Sequence, residues 1–145
     1  MLENLFSPLA DRGLLVLRLA LGITLIVHGW MKVDPKGQVK GPAGFAAWLK
    51  QMGVPLPQFF AWVVCLLETA GAVLLILGLG TRILAAAIVV DMMVAIALVK
   101  MKVMKAKFME PKVQGWEFEF ALLAQALALV FCGAGGIALD AVAGL

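Results

Sequence analysis

Charge is scarce in this chain. Asp, Glu, Lys and Arg make up 14% of its 145 residues and hydrophobic residues 63%, where a water-soluble domain carries about 25% and 45–50%. A one-domain integral membrane protein is expected, residues 1–145 being too few to divide further. Cysteine is limited to Cys65 and Cys132, each isolated in an apolar run. No C-x-x-C and no Cys/His ligand spacing occurs, which argues against a thioredoxin-like motif and a zinc site, and no metal is expected. The opening MLENLFSPLADRG carries Glu3 and Asp11 but no early Lys or Arg. It lacks the basic n-region and small-residue cleavage site of a signal peptide, so the first apolar helix is expected to be retained. Composition gives no reason to expect a nucleic-acid partner.

What is present in quantity is long apolar sequence. Leu14–Lys32, LLVLRLALGITLIVHGWMK, has the length that spans a lipid hydrocarbon core, yet it holds Arg18 and His28. Three further apolar runs follow. The expected architecture is all-α: four transmembrane helices in an up-down bundle, over residues 13–31, 59–79, 82–100 and 117–139. In helix 1, Arg18 shares a stripe with Leu14, Gly22, Leu25 and Gly29, which predicts that this face looks into the bundle. The third helix runs on into KMKVMKAKFMEPKVQG, and Pro111 and Gly115 are expected to end that extension. In the first loop, Phe45, Trp48, Leu49 and Met52 follow i, i+3, i+4, i+7 spacing. This predicts a short amphipathic helix over residues 43–53, lying in the membrane interface.

The basic residues are unevenly spread. Of the twelve Lys and Arg, three are arginines, Arg12, Arg18 and Arg82, and the nine lysines all lie within Lys32–Lys50 and Lys100–Lys112. Four spans place both lysine-rich loops on one face and both termini on the other. The positive-inside rule then predicts cytoplasmic loops and external termini. Trp48, Lys50, Lys100, Lys102, Lys105 and Lys107 are candidate contacts to lipid or to a partner protein.

The intramembrane ionisable residues are the candidate site. With a rise of about 1.5 Å per residue, Glu68 and Asp91 fall at similar depth, and an arginine side chain is long enough to reach toward them. Arg18, Glu68 and Asp91 are expected to form one buried charge cluster, either locking the helices together or serving a ligand or proton role. His28, Lys32, Gln125 and Glu119 form a second candidate polar set nearer the lysine-rich face. Cys65 and Cys132 differ in estimated depth by roughly 12 Å, which argues against a disulfide.

Four segments, LRLALGITLIVHGWMK, GFAAWLKQMGVPLP, LLETAGAVLLILGLGTR and EFEFALLAQALALVFCGAGGIALD, resemble the DoxX family of small four-helix membrane proteins, in order and with similar spacing. The resemblance implies a multi-pass protein of a bacterial or archaeal cytoplasmic membrane. It also implies an association with membrane oxidoreductase assemblies, among them a thiosulfate:quinone oxidoreductase and a thiol and superoxide stress complex. Arg18, His28, Lys32, Glu68 and Arg82 match the family pattern. The basic, Met-rich stretch 100–115 departs from it, since relatives tend to be shorter, more polar and Gly-rich there, often with a His after helix 3.

The expected role is that of a subunit in a larger, redox- or quinone-associated membrane complex, not an enzyme on its own. No cofactor motif is evident; quinone is the candidate ligand. The alternatives are a non-catalytic accessory subunit and a small-solute or proton carrier. Expected partners are membrane lipid, other subunits of such a complex, or a second copy in a homo-oligomer.

Overall fold

Apolar runs interrupted by glycine and proline become helices interrupted at those residues. The structure, a computed structural model, describes residues 2–109 and 114–144, and its described residues contain helices and no strand. Helix α1 covers Leu2–Val33, starting well before the expected residue 13 and passing through Pro8. After a turn, α2 covers Gly41–Gln51. Helix α3 covers Pro57–Leu77 and α4 covers Thr81–Val103. Helix α5 covers Glu117–Cys132, and a short α6 covers Leu139–Ala143. Among the described residues, three helices are long and apolar enough to cross a membrane: Leu9–Val33 within α1, then α3 and α4.

Two boundaries correct the sequence reading. The fourth apolar helix stops at Cys132, not near residue 139, because Gly133 and Gly135 turn the chain at φ 78° and 81°, values that favour residues without a Cβ. Its 16 residues rise about 24 Å. The third does not run on toward Pro111, which itself lies outside the described residues. It ends at Val103, where Lys105 turns left-handed (φ 52°) and the Ala106 N–H donates to the Lys100 carbonyl at 2.9 Å. Gly115 packs tightly too, since a Cβ there would stand 2.8 Å from the Lys107 carbonyl oxygen.

Leu21 and Leu25 of α1, Ala72 and Leu75 of α3, Ala85, Ile88 and Met92 of α4, and Leu122, Ala126 and Leu129 of α5 form the main core. A second cluster joins α2 to α3 through Phe45, Ala46, Leu49, Ala61 and Cys65. The outward face is equally apolar: Ile83 is 80% and Phe131 75% exposed. Water would penalise so large an apolar surface, and lipid does not.

Close approach of α1 and α3 depends on glycine. A Cβ on Gly29 would sit 2.8 Å from the carbonyl carbon, Cβ and carbonyl oxygen of Glu68. Where α3 passes this point its ladder widens to a π-helical turn at Leu67–Gly71. The Thr69 hydroxyl donates to the Cys65 carbonyl at 2.6 Å, so that carbonyl keeps a partner where the spacing changes. A second π-helical segment, Ala95–Val103, ends α4. Such segments are rare and recur at functional sites.

Candidate functional site

The expected Arg18–Glu68–Asp91 cluster is two separate sites at opposite ends of the bundle. Arg18 is fully buried, but its partners are backbone carbonyls. Its Nη1 donates to Ile76 O at 3.0 Å, and Nη2 donates to Ile137 O. Its charge faces Asp140. The Asp140 carboxylate accepts the N–H of Gly80 at 2.6 Å and of Thr81 at 2.9 Å, and its own N–H donates to Gly78 O at 2.8 Å. Asp140 therefore caps the N-terminus of α4 from the far end of the chain, where free N–H groups and the helix dipole favour an anion. Burial alone pushes this carboxyl up, but the two backbone hydrogen bonds and Arg18 outweigh it and hold it below the usual carboxylate range. Asp11 accepts the Gly136 N–H at 2.7 Å, fastening the same loop to α1. This end is a latch tying the start and finish of the chain to the α3–α4 turn.

The sequence reading missed Asp140 as a partner of Arg18. The available signal was the position of Asp140, an acid following an apolar stretch near the end of the chain. Helical spacing gives no means of matching residues 122 positions apart without the fold.

The other end holds the more reactive arrangement. Lys32 of α1 forms an ion pair with Glu68 of α3, and its Nζ lies 5.3 Å from the centre of the Phe45 ring, within cation–π range. Asp91 of α4 lies beside Glu68 on the wall of the same cavity, and its buried Oδ2 has no hydrogen-bond partner among the described residues. Lys32 is thus the cation beside Glu68, where Arg18 was expected, and Asp91 lines the same cavity.

These three groups form the polar end of a cavity of about 660 Å³ between α2, α3 and α4. The walls are apolar, with Phe45 and Trp48 from α2, Phe60 and Val64 from α3, and Val90 and Leu98 from α4. Lys100 and Glu119 border it, as an ion pair at 3.3 Å. Both π-helical segments supply lining residues, Glu68 in one and Leu98, Val99 and Lys100 in the other. Volume, apolar walls and a few convergent polar groups are the usual attributes of a small-molecule site.

The second expected polar set is dispersed. Lys32 belongs to the cavity, whereas the His28 ring packs on Phe118 with centroids 5.2 Å apart. Glu119 pairs with Lys100, and Gln125 is half-buried on α5. Lys100 is likewise corrected as a lipid or partner contact: it is buried, held by Glu119 and by the Gln114 carbonyl at 3.2 Å. Lys50, Lys102, Lys105 and Lys107 are exposed, and Trp48 stacks on Phe45 at 5.7 Å beside the cavity. Arg82 is exposed next to Gly133. Cys65 is buried and Cys132 exposed, both as free thiols.

The family model of DoxX matches residues 13–101, from the start of the apolar part of α1 to the π-helical end of α4. The chain belongs to the DoxX family. Every residue of the Lys32–Glu68–Asp91 site lies inside the matched region, whereas Asp140 and Glu119 lie beyond it. A relative from Bacillus subtilis (strain 168), carrying the name "Putative oxidoreductase CatD", is 33% identical over 128 residues, covering 88% of this chain and 84% of its own. No solved structure matches.

Proposed function

We propose that this DoxX-family membrane protein is a subunit of a redox-associated assembly in a bacterial or archaeal cytoplasmic membrane. Its α2–α3–α4 cavity takes a quinone-class amphiphile. The observation that carries the reading is the cavity itself: about 660 Å³ of apolar wall ending in Lys32, Glu68 and Asp91. A quinone headgroup needs apolar walls for its ring and polar groups for its oxygens, and the lining residues include both kinds. The oxidoreductase name of the Bacillus subtilis relative is in keeping with a redox setting. In this reading α5 is a fourth span and α2 lies in the interface. The exposed Lys50, Lys102, Lys105 and Lys107 face the cytoplasm and anionic lipid, and the termini face outward.

An accessory role fits the same molecule. Phe108, Trp116 and Phe120 pack edge to face beside the exposed lysines, Phe108 and Trp116 having ring centres 4.6 Å apart. They form a semi-exposed aromatic surface for neighbouring subunits. Purification from the native membrane in mild detergent tests both parts. Co-purifying redox subunits and an extractable quinone are the expected result, with Ala87→Phe, which fills the cavity, reducing the retained quinone at least tenfold. Migration alone, with no quinone in the extract, refutes the reading.

A further inference from the structure

The charges around the cavity do not balance if every group is ionised. Lys32 and Lys100 bring two positive charges; Glu68, Asp91 and Glu119 bring three negative ones. Lys100 and Glu119 cancel as a pair. That leaves Lys32 facing two carboxyls. Glu68 is buried and holds the lysine directly. Asp91 faces Glu68, and its Oδ2 is buried with no donor from the protein. Two neighbouring carboxylates in a low-dielectric site repel strongly, and the arrangement is relieved when the two hold one proton between them. The set then carries no net charge: one lysine cation, one carboxylate and one carboxylic acid.

We infer that Glu68 and Asp91 hold one proton between them, and that when a ligand enters the cavity Asp91 turns this O–H from Glu68 to donate a hydrogen bond to a carbonyl oxygen of the ligand. Lys32 fixes which carboxyl keeps the charge. Its ammonium sits on Glu68 and above the Phe45 ring, which leaves Asp91 to carry the hydrogen. Asp91 lies on α4 and lines the cavity. From α2, Phe45, Trp48 and Leu49 face the site; the one donor among them, the Trp48 indole N–H, does not titrate between pH 5 and pH 9. Lys100 of α4 and Glu119 of α5 are engaged with each other. The ligand class is therefore an amphiphile presenting a hydrogen-bond acceptor, the dione form of a quinone. Binding follows the protonation of the carboxyl pair.

The inference rests on the quinone-site reading above, and its test separates the two. The full chain in detergent is titrated calorimetrically with 2-methyl-1,4-naphthoquinone between pH 5 and pH 9. The expected result is a Kd that weakens about tenfold per pH unit once the shared proton is lost. Asp91→Asn keeps an N–H donor that does not titrate, so its Kd is expected to stay flat across the range. His28→Asn removes the chain's one histidine, which lies against Phe118 away from the cavity, and is expected to leave the slope intact. Gel filtration and far-ultraviolet circular dichroism establish that each variant folds. A wild-type Kd independent of pH, or an unchanged slope in Asp91→Asn, overturns the shared-proton inference and leaves the quinone site standing. Absence of naphthoquinone binding at every pH overturns the site reading and this inference with it.

Discussion

Removing the Asp140 carboxylate is expected to loosen the end of the bundle where α3 turns into α4. The carboxylate accepts two backbone N–H groups, at 2.6 and 2.9 Å, and faces the buried Arg18 guanidinium. A hydrogen bond to a charged group contributes about 1.5–3 kcal/mol, and loss of a helix cap about 0.5–2 kcal/mol. The two descriptions overlap, so they are not summed. Asp140→Ala is expected to cost about 3 kcal/mol, because it also leaves the N–H groups of Gly80 and Thr81 unpaired and Arg18 without a counter-charge. Asp140→Asn retains one acceptor oxygen and is expected to cost about half of that. Thermal unfolding in detergent, followed by tryptophan fluorescence, measures both. The pH dependence gives an independent reading. Asp140 is held below the usual carboxylate range in the folded state, so its contribution is complete above the unfolded value of about 3.9 and is lost as pH falls through the lower folded value. Wild-type protein should lose stability over that acid window, and Asp140→Asn should lose less of it. Equal stability of Asp140→Ala and wild type at pH 7 would refute the latch.

Three further outcomes follow from the packing. Gly78→Ala places a Cβ onto the Arg18 guanidinium and 2.6 Å from Ala138 Cβ, at a backbone φ of 72°; the left-handed conformation alone costs about 1–2 kcal/mol, so a clear drop in melting temperature is expected. Gly29→Ala forces α1 away from the Glu68 backbone, at about 1–3 kcal/mol for overpacking, and should lower naphthoquinone affinity along with stability; unchanged affinity argues against a cavity shaped by this contact. Lys32→Met strands the buried Glu68 and is expected to cost about 2 kcal/mol, below the 3–5 kcal/mol of a fully buried pair because the lysine side chain keeps 22% exposure. Denaturant unfolding should show Lys32→Met/Glu68→Gln recovering much of that loss, and a strictly additive double variant argues against the pair.

Composition and periodicity alone determined the all-helical class and the inward stripe of α1. Hydrophobic burial along one helix is a local property, readable at 3.6-residue spacing, and Arg18, Gly22, Leu25 and Gly29 are indeed buried. Depth counting also brought Glu68 and Asp91 to one level, because rise per residue is fixed by the backbone. The ends of α4 and α5 were less legible. They depend on left-handed turns at Lys105 and Gly133, whose cost is met by contacts elsewhere in the chain. The partner of each buried charge was decided only by tertiary structure. Arg18 and Lys32 lie on the same helix, 14 residues apart, and either is long enough to reach an acid. The crossing of α1 with α3 at Gly29 brought Lys32 to Glu68, and the return of the C-terminal segment gave Arg18 to the Ile137 carbonyl and to Asp140. A sequence specifies which charges must be neutralised inside a bundle; the helix crossings determine which groups neutralise them.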